Sequence, residues 1–284
     1  MSEEFQSLFL SLKNPGKIEK TKISIMLGRL LLTTRIRAPN QAYRALTTRP
    51  HLHCEIITKK ITHNGTETTS SPSYEGSTIV LLHGILGSGQ NLRSFARRVA
   101  NEHPGSKCVL VDLRAHGESP SYYGDGTGAP ATVDKCADDV KRLLSSMKLS
   151  PEVLWGHSFG GKVVLSMLEK RDDKARRADD ATTENCRSAW IIDSQPGLVD
   201  TKGWGNNENP NSVERIIDVL STLVPPFESK DDLMLQINEK GVDRMIQTWM
   251  TTNVARDAAT GKFHWKFQMD VVKELFTDYC SKDM

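Results

Sequence analysis

The feature that most constrains this chain is Gly156-His157-Ser158-Phe159-Gly160. Val153-Leu154-Trp155 precedes it as a strand, and a helix is expected to begin just after Ser158. A strand that becomes a helix within one residue must pass through a sharp, strained turn. Glycines at 156 and 160 fit there because side chains would collide with the neighbouring strand and helix. Such a turn holds Ser158 at the exposed end of a sheet, above the positive end of a helix. The chemistry expected is nucleophilic attack by Ser158 on a carbonyl carbon. The alternative is a small residue in a tight turn.

The surrounding pattern supplies the context that this turn needs. Extended segments begin near Cys54 to Ile57 and near Lys60 to Thr62, followed by the turn signal Asn64-Gly65. Thr78-Ile79-Val80-Leu81-Leu82 is a short apolar run of the kind buried on both faces of a sheet. A Gly-rich loop then leads into a helix from about Asn91 to Asn101, and Cys108-Val109-Leu110-Val111 is the next strand. Thr132 is placed to cap a helix carrying Val133, Ala137, Val140, Leu144 and Met147 on one stripe. Ala189-Trp190-Ile191-Ile192 is the following strand. The alternation predicts an α/β fold built on a mainly parallel sheet. The charged run from Lys170 to Glu184 reads as a solvated insertion, with a partner-docking loop as the alternative.

After Asp193 the alternation stops. Residues 212–223, 230–240 and 242–254 are expected to be amphipathic helices without strands between them. Val213, Ile216, Ile217 and Leu220 form one stripe, and Leu233, Leu235 and Ile237 contribute to another. These read as a helical cap over the working edge of the sheet.

Two further loops accompany the serine. Leu82-His83-Gly84-Ile85-Leu86-Gly87-Ser88 follows a strand directly. Acyl transfer needs two N–H donors aimed at the developing oxyanion. Phe159, the residue after the nucleophile, is expected to supply one and Ile85 the other, and His83 reads as a brace for this loop. The second loop is Val111-Asp112-Leu113-Arg114-Ala115-His116-Gly117-Glu118-Ser119. Asp112 is expected to accept hydrogen bonds within it rather than to take part in catalysis, and His116 likewise.

In order and spacing these motifs resemble the alpha/beta hydrolase superfamily. The finer match is to a mitochondrial branch of alpha/beta hydrolase domain-containing proteins and their bacterial esterase relatives. It is carried by His83-Gly84-Ile85-Leu86-Gly87-Ser88 with Asn91, by Asp112 to Ser119, by Gly156 to Gly160 with Gly161-Lys162, by Ile192-Asp193, and by Phe263-His264-Trp265-Lys266 in the cap. The resemblance spans roughly residues 54–280. It implies an alpha/beta hydrolase fold and a serine hydrolase that cleaves carboxylic ester or thioester bonds of small acyl substrates, with no cofactor and no metal.

A serine nucleophile also needs a base and an acid that orients it. Asp193 ends the strand after the nucleophile helix, at the same sheet edge as Ser158, and is the expected acid. Its alternative role is to cap the entry to the cap region. In the family the histidine comes late, after the last strand. Here the only histidine beyond Ser158 is His264, inside the expected cap. Two further strands and their helices, about 60 residues, do not follow. The expectation is therefore a hydrolase fold lacking its C-terminal strands. A truncated gene model or splice form is favoured over a short non-catalytic product and over His264 as a substitute base. Loss of those strands would leave a strand edge and core surface open, so that the product aggregates or needs a partner. A non-catalytic binding or scaffold protein is the competing function, and acyl transfer on the same fold is a third.

Charge is distributed unevenly. The net +2 of the 284 residues divides into +6 over residues 1–54 and −4 over the rest. The body is mildly acidic, which argues against a nucleic-acid-binding surface. No Asp or Glu occurs between Lys20 and Cys54, while Arg29, Arg35, Arg37, Arg44 and Arg49 do. Arginine-rich, acid-poor sequence of this kind predicts a mitochondrial transit segment, and a start at Met26 would make it cleaner. No apolar run reaches the ~20 residues of a membrane span. Five irregularly spaced cysteines do not suggest a disulfide framework. The expected organisation is a transit or disordered segment over 1–50, the hydrolase core over 51–196 and the cap region over 197–284.

Overall fold

The computed structural model describes residues 35–37, 52–59, 62–63, 66–67, 76–119, 130–172, 181–199 and 212–284. Contacts divide the chain at residue 33, and the first unit, with most of the expected transit segment, lies outside the described residues. So does most of the charged run 170–184.

The described strands are β1 (Arg35–Arg37), β2 (Cys54–Thr58), a small hairpin of β3 (Thr62–His63) and β4 (Thr66–Glu67), then β5 (Thr78–Leu82), β6 (Lys107–Val111), β7 (Val153–His157) and β8 (Ser188–Ile192). Six of them form one sheet in the order β1-β2-β6-β5-β7-β8. β6, β5, β7 and β8 run parallel, while β2 joins β6 and β1 joins β2 antiparallel. β1 therefore adds an edge strand from within the segment assigned to the address.

β5 and β6 are short β-branched and apolar runs because both of their faces are covered, whereas β8 is largely exposed. Val80, Leu82, Val109, Val111 and Leu154 belong to a large core on one face. Leu81, Cys108 and Leu110 pack on the other with Ile57 and with Ala96 and Ala100 of helix α1 (Arg93–Glu102). Helix α2 (Val133–Ser146) follows Thr132, whose side chain accepts the Lys135 N–H at 3.2 Å as an N-cap. Its stripe of Val133, Cys136, Ala137, Val140, Leu143 and Leu144 is buried against the large core. Helix α3 (Phe159–Asp172) packs on β7 and β8.

From β5 the chain turns one way to β6, and from β7 it turns the other way to β8. The adjacent β5 and β7 thus mark a topological switch point. In sheets of this topology the carboxyl ends of the strands beside such a point are where ligands bind.

Residues 212–284, in the region expected to be the cap, contain α4 (Val213–Ser221), α5 (Lys230–Glu239), α6 (Arg244–Met250), β9 (Val254–Arg256), β10 (Phe263–Trp265) and α7 (Met269–Ser281). Contrary to the all-helical expectation, β9 and β10 make an antiparallel hairpin. Its turn is held by Asp257, whose Oδ1 accepts the N–H groups of Ala259 at 3.0 Å and Thr260 at 2.7 Å. The expected helix over 242–254 accordingly ends at Met250. The α4 stripe is buried as expected at Ile216, Ile217 and Leu220. Leu235 leaves the α5 stripe: Leu233 and Ile237 are buried, but two residues is more than half a helical turn, and Leu235 is 63% exposed. No described helix is long and apolar enough to cross a membrane.

The cap is fastened to the loops at the sheet's carboxyl edge. Gln268 N–H donates to Ala115 O at 3.0 Å, Lys266 Nζ to Gln90 Oε1 at 2.8 Å, and Asn91 Nδ2 to Thr252 Oγ1 at 3.1 Å. At the far end of the described sheet β8 is the outermost strand, with Trp190 59% exposed and Leu198 beyond it 58% exposed.

Candidate active site

Ser158 stands between the end of β7 and the start of α3 with φ +51°, a left-handed conformation that costs a non-glycine residue about 1–2 kcal/mol. The surrounding close contacts explain the glycines of the motif. A Cβ on Gly156 would lie 2.3 Å from Gly160 O. One on Gly160 would lie 2.6 Å from His83 O, and one on Gly161 2.6 Å from Ser194 Cβ. The turn is tied by Ser158 N–H to Ile192 O at 2.8 Å and by Gly161 N–H to Ser158 O at 2.8 Å. Ser158 itself is half-buried.

The loop after β5 comes up to this serine. A Cβ on Gly84 would be 3.2 Å from Ser158 Cβ, so the backbone at Gly84 passes directly beside Ser158. Within the loop Leu86 adopts φ +64°, and Gly87 N–H closes on Gly84 O at 3.1 Å. Among the described residues, no acceptor stands against the Ile85 N–H or the Phe159 N–H. Phe159 opens α3, where a first-turn amide has no intrahelical acceptor. The backbone at Gly84 and Ile85 and that of Phe159 thus lie close to Ser158.

Two buried histidines brace that loop. His83 Nε2 accepts the Leu113 N–H at 2.9 Å, so its proton is on Nδ1 and goes to Gly84 O at 2.8 Å. His116 Nε2 accepts the Leu86 N–H at 3.2 Å, and its Nδ1 donates to Arg114 O at 2.8 Å. Both rings are neutral donors and acceptors at once. Burial pushes both pKa values down, for His116 to about 3, with His83 adding to its fall. These are bracing roles, as expected for His83 and His116.

Asp112 is the other brace. It is buried and accepts the Gly89 N–H at 2.7 Å, the Glu118 N–H at 3.0 Å and His53 Nδ1 at 2.8 Å. Burial alone would raise its carboxyl; the His53 hydrogen bond, nearby His83 and the two amides outweigh it and hold the pKa below the ordinary value. Gly117, at φ +60°, passes so close that its Cβ would lie 2.2 Å from Asp112 Oδ2. The partner His53 was not foreseen, because nothing in the residues before β2 marks one histidine as facing a loop 59 positions away. Beside this pair a small cleft of about 30 Å³ is lined by Glu55, Arg93, Glu118 and Lys266 among others. Ser158 does not line it, and Arg93 pairs with Glu55 across it at 2.5 Å.

Asp193 follows the last β7–β8 pair, His157 with Ile192, and so lies level with Ser158. It shares the left-handed conformation, at φ +50°. Its exposed carboxylate lies 3.9 Å from His157 Nε2. Burial lowers the His157 pKa and Asp193 opposes that fall. Among the described residues no hydrogen bond joins Ser158 to a histidine. His264 sits exposed on β10; the hydrogen bonds from Thr260 hold the Asp257 pKa below its ordinary value.

The alpha/beta hydrolase fold family model matches residues 77–212. The sn-1-specific diacylglycerol lipase ABHD11 of Mus musculus is 35% identical over 196 residues, 69% of this chain and 56% of the relative. Esterase YbfF of Escherichia coli is 33% identical over 106 residues, 37% of this chain and 38% of that protein. The chain thus spans little more than half the length of the ABHD11 relatives it matches. Among solved structures, a marine microorganism esterase superposes with a TM-score of 0.61 at 20% identity, covering 82% of this chain and 75% of that one.

Proposed function

We propose, for a chain that has the alpha/beta hydrolase fold and resembles ABHD11 and bacterial esterases, that Ser158 is the nucleophile of a carboxylic ester or thioester hydrolase. The observation that carries this reading is the strained turn itself. A left-handed Ser158 at the switch point, between glycines that no side chain can replace, has a conformational cost that folding alone does not call for. In this reading Ser158 Oγ attacks the acyl carbonyl, its proton passes to a base that no described residue supplies at hydrogen-bonding distance from Ser158, and the Ile85 and Phe159 N–H groups hold the oxyanion. Asp193 is the acid of the site, placed at the same sheet edge. The apolar residues of the cap suit a hydrophobic acyl group, and the name of the mouse relative supports an acylglycerol among the candidates. The core is residues 51–196 and the cap 197–284. The arginine-rich residues 1–50 support a mitochondrial address.

The test is labelling of the purified chain with a fluorophosphonate probe. Ser158 should become phosphonylated, and Ser158→Ala should abolish the signal. The competing reading is a binding or scaffold protein that keeps the fold. It is favoured by the position of His264, exposed on β10 beside Asp257 and without a hydrogen bond to Ser158. Folded protein with no Ser158-dependent labelling would support that reading. A fusion of residues 1–60 to a fluorescent protein tests the address, and a diffuse cytosolic signal would count against it.

A further inference from the structure

We infer that Lys162 is a positioning residue through which the last helix of the cap, α7, sets the nucleophile turn. The inference deepens the hydrolase reading and rests on it for its kinetic arm. Lys162 lies one helical turn after Ser158, and its backbone N–H points at Ser158 O, 3.4 Å away. Its side chain is fully buried. The ammonium donates to Tyr279 O at 2.6 Å, Lys282 O at 2.7 Å and Gly197 O at 2.9 Å. An ammonium has three protons, and all three are used.

Two of those acceptors lie at the carboxyl end of α7, where helix carbonyls have no intrahelical donor and a cation is favoured. The third, Gly197 O, belongs to the segment that leaves β8 and Asp193. One buried charge therefore ties together the helix under Ser158, the end of the cap and the strand exit that carries the proposed acid. A surface lysine would serve solubility. A lysine enclosed by three carbonyls from two other segments serves geometry.

A second contact runs in parallel. Tyr279 places its ring 6.1 Å from that of Phe159, the proposed oxyanion donor, and 4.5 Å from Lys162 Nζ. Its hydroxyl accepts the Gln195 N–H at 3.4 Å. The amino end of α2 holds the same helix from outside: Val133 N–H donates to Asp278 Oδ2 at 2.7 Å, and Lys282 Nζ reaches Asp134 Oδ2 at 3.1 Å. With α7 so anchored, a displacement of its last turn moves two of the three carbonyl ligands of a residue in the first turn of the nucleophile helix.

The test uses the full chain and Lys162→Met, with Lys282→Met as a variant that loosens α7 but keeps the buried ammonium. Fluorophosphonate inactivation is resolved into probe affinity and the rate constant of the covalent step. Lys162→Met should lower the covalent rate constant by on the order of tenfold to a hundredfold with probe affinity unchanged, as expected for a misplaced nucleophile. A merely structural role would reduce the labelled fraction and leave that rate constant alone. Lys282→Met, which frees α7 from Asp134, should lower the rate constant by a smaller factor than Lys162→Met, and a Lys282→Met rate equal to the unaltered one would count against control of the turn by α7. Native-state hydrogen exchange of the unaltered chain is the second measurement and needs neither labelling nor a folded variant. Amides of Phe159 to Val163 and of Tyr279 to Ser281 should open with one shared free energy. If the two sets open independently, or if Lys162→Met labels at the unaltered rate, the inference is overturned. If the unaltered chain is not labelled at all, the hydrolase reading fails and exchange alone decides the role of Lys162.

Discussion

His116 Nε2 accepts the Leu86 N–H at 3.2 Å, so a ring on one loop holds the strained, left-handed residue of another. That bond exists only while the ring is neutral. Burial lowers the His116 pKa from 6.5 to about 3, so the folded state resists a proton that the unfolded chain takes up. The contribution is present above pH 6.5 and is lost as pH falls toward 3, by about 1.4 kcal/mol per pH unit for one proton. Urea unfolding at pH 6, 5 and 4 measures it. In His116→Asn the slope should fall by that amount, with lower stability at pH 7. An unchanged slope would mean that His116 is not the proton-sensitive group.

The His53–Asp112 pair has the opposite sign for its histidine. The Asp112 hydrogen bond, against the cost of burial, raises the His53 pKa, and Asp112, Glu118 and Glu55 add charge attraction. Its contribution is complete below the unfolded value near 6.5 and is lost as pH rises through the folded value. Asp112→Asn should return the His53 titration toward 6.5 in a proton NMR pH series. It should also cost about 1–3 kcal/mol by disturbing the Gly89 and Glu118 amide bonds. A His53 titration that does not move would refute the pairing.

Ser158→Gly should stabilise the fold while ending fluorophosphonate labelling. Glycine adopts φ +51° without the Cβ penalty, and the gain, net of its larger unfolded-state entropy, is about 1 kcal/mol. Thermal unfolding of Ser158→Gly and Ser158→Ala side by side isolates the backbone effect. Equal melting temperatures would argue that the turn stores no strain.

Gly160→Ala should be far more damaging than an ordinary helix substitution. Alanine is the better helix former, by about 1 kcal/mol, yet its Cβ would fall 2.6 Å from His83 O and 2.7 Å from Leu82 O. Backbone on both sides leaves no flexible side chain to move, so the variant should lose several kcal/mol or fail to fold. A soluble variant of unaltered stability, by circular dichroism melting, would contradict the close packing of α3 on β5.

The exposed end of the sheet should govern self-association. In the described sheet β8 is the outermost strand on this side, and Trp190 is 59% exposed on it. An unpaired strand edge with a large apolar side chain recruits other strands. Trp190→Lys should raise the monomer fraction by size-exclusion chromatography with light scattering. Equal association would place the sticky surface elsewhere.

Much of this architecture was legible because the relevant forces are local. The run Thr78 to Leu82, the cap at Thr132 and the glycines around Ser158 each satisfy a short-range requirement, and each appears where expected. The β9–β10 hairpin was missed because its strands are three residues each, too short to set a period. Leu235 departs from its expected stripe because, two residues from both Leu233 and Ile237, it points to the opposite side of the helix. His53 and Lys162 were invisible as partners because their ligands lie 59 and up to 120 positions away in the chain.

By itself the sequence determined the alternation of strand and helix, the turn that presents Ser158 and the two loops that meet it. Those follow from steric exclusion and apolar periodicity, which act over a few residues. Only the tertiary structure decided which groups face each other: His83 and His116 as neutral braces, Asp112 bound to His53, Asp193 turned beside His157, and Lys162 enclosed by the carbonyls of α7. Burial makes that difference. A polar group removed from water must find its partner wherever the fold brings one, and distance along the chain has no bearing on which one it finds.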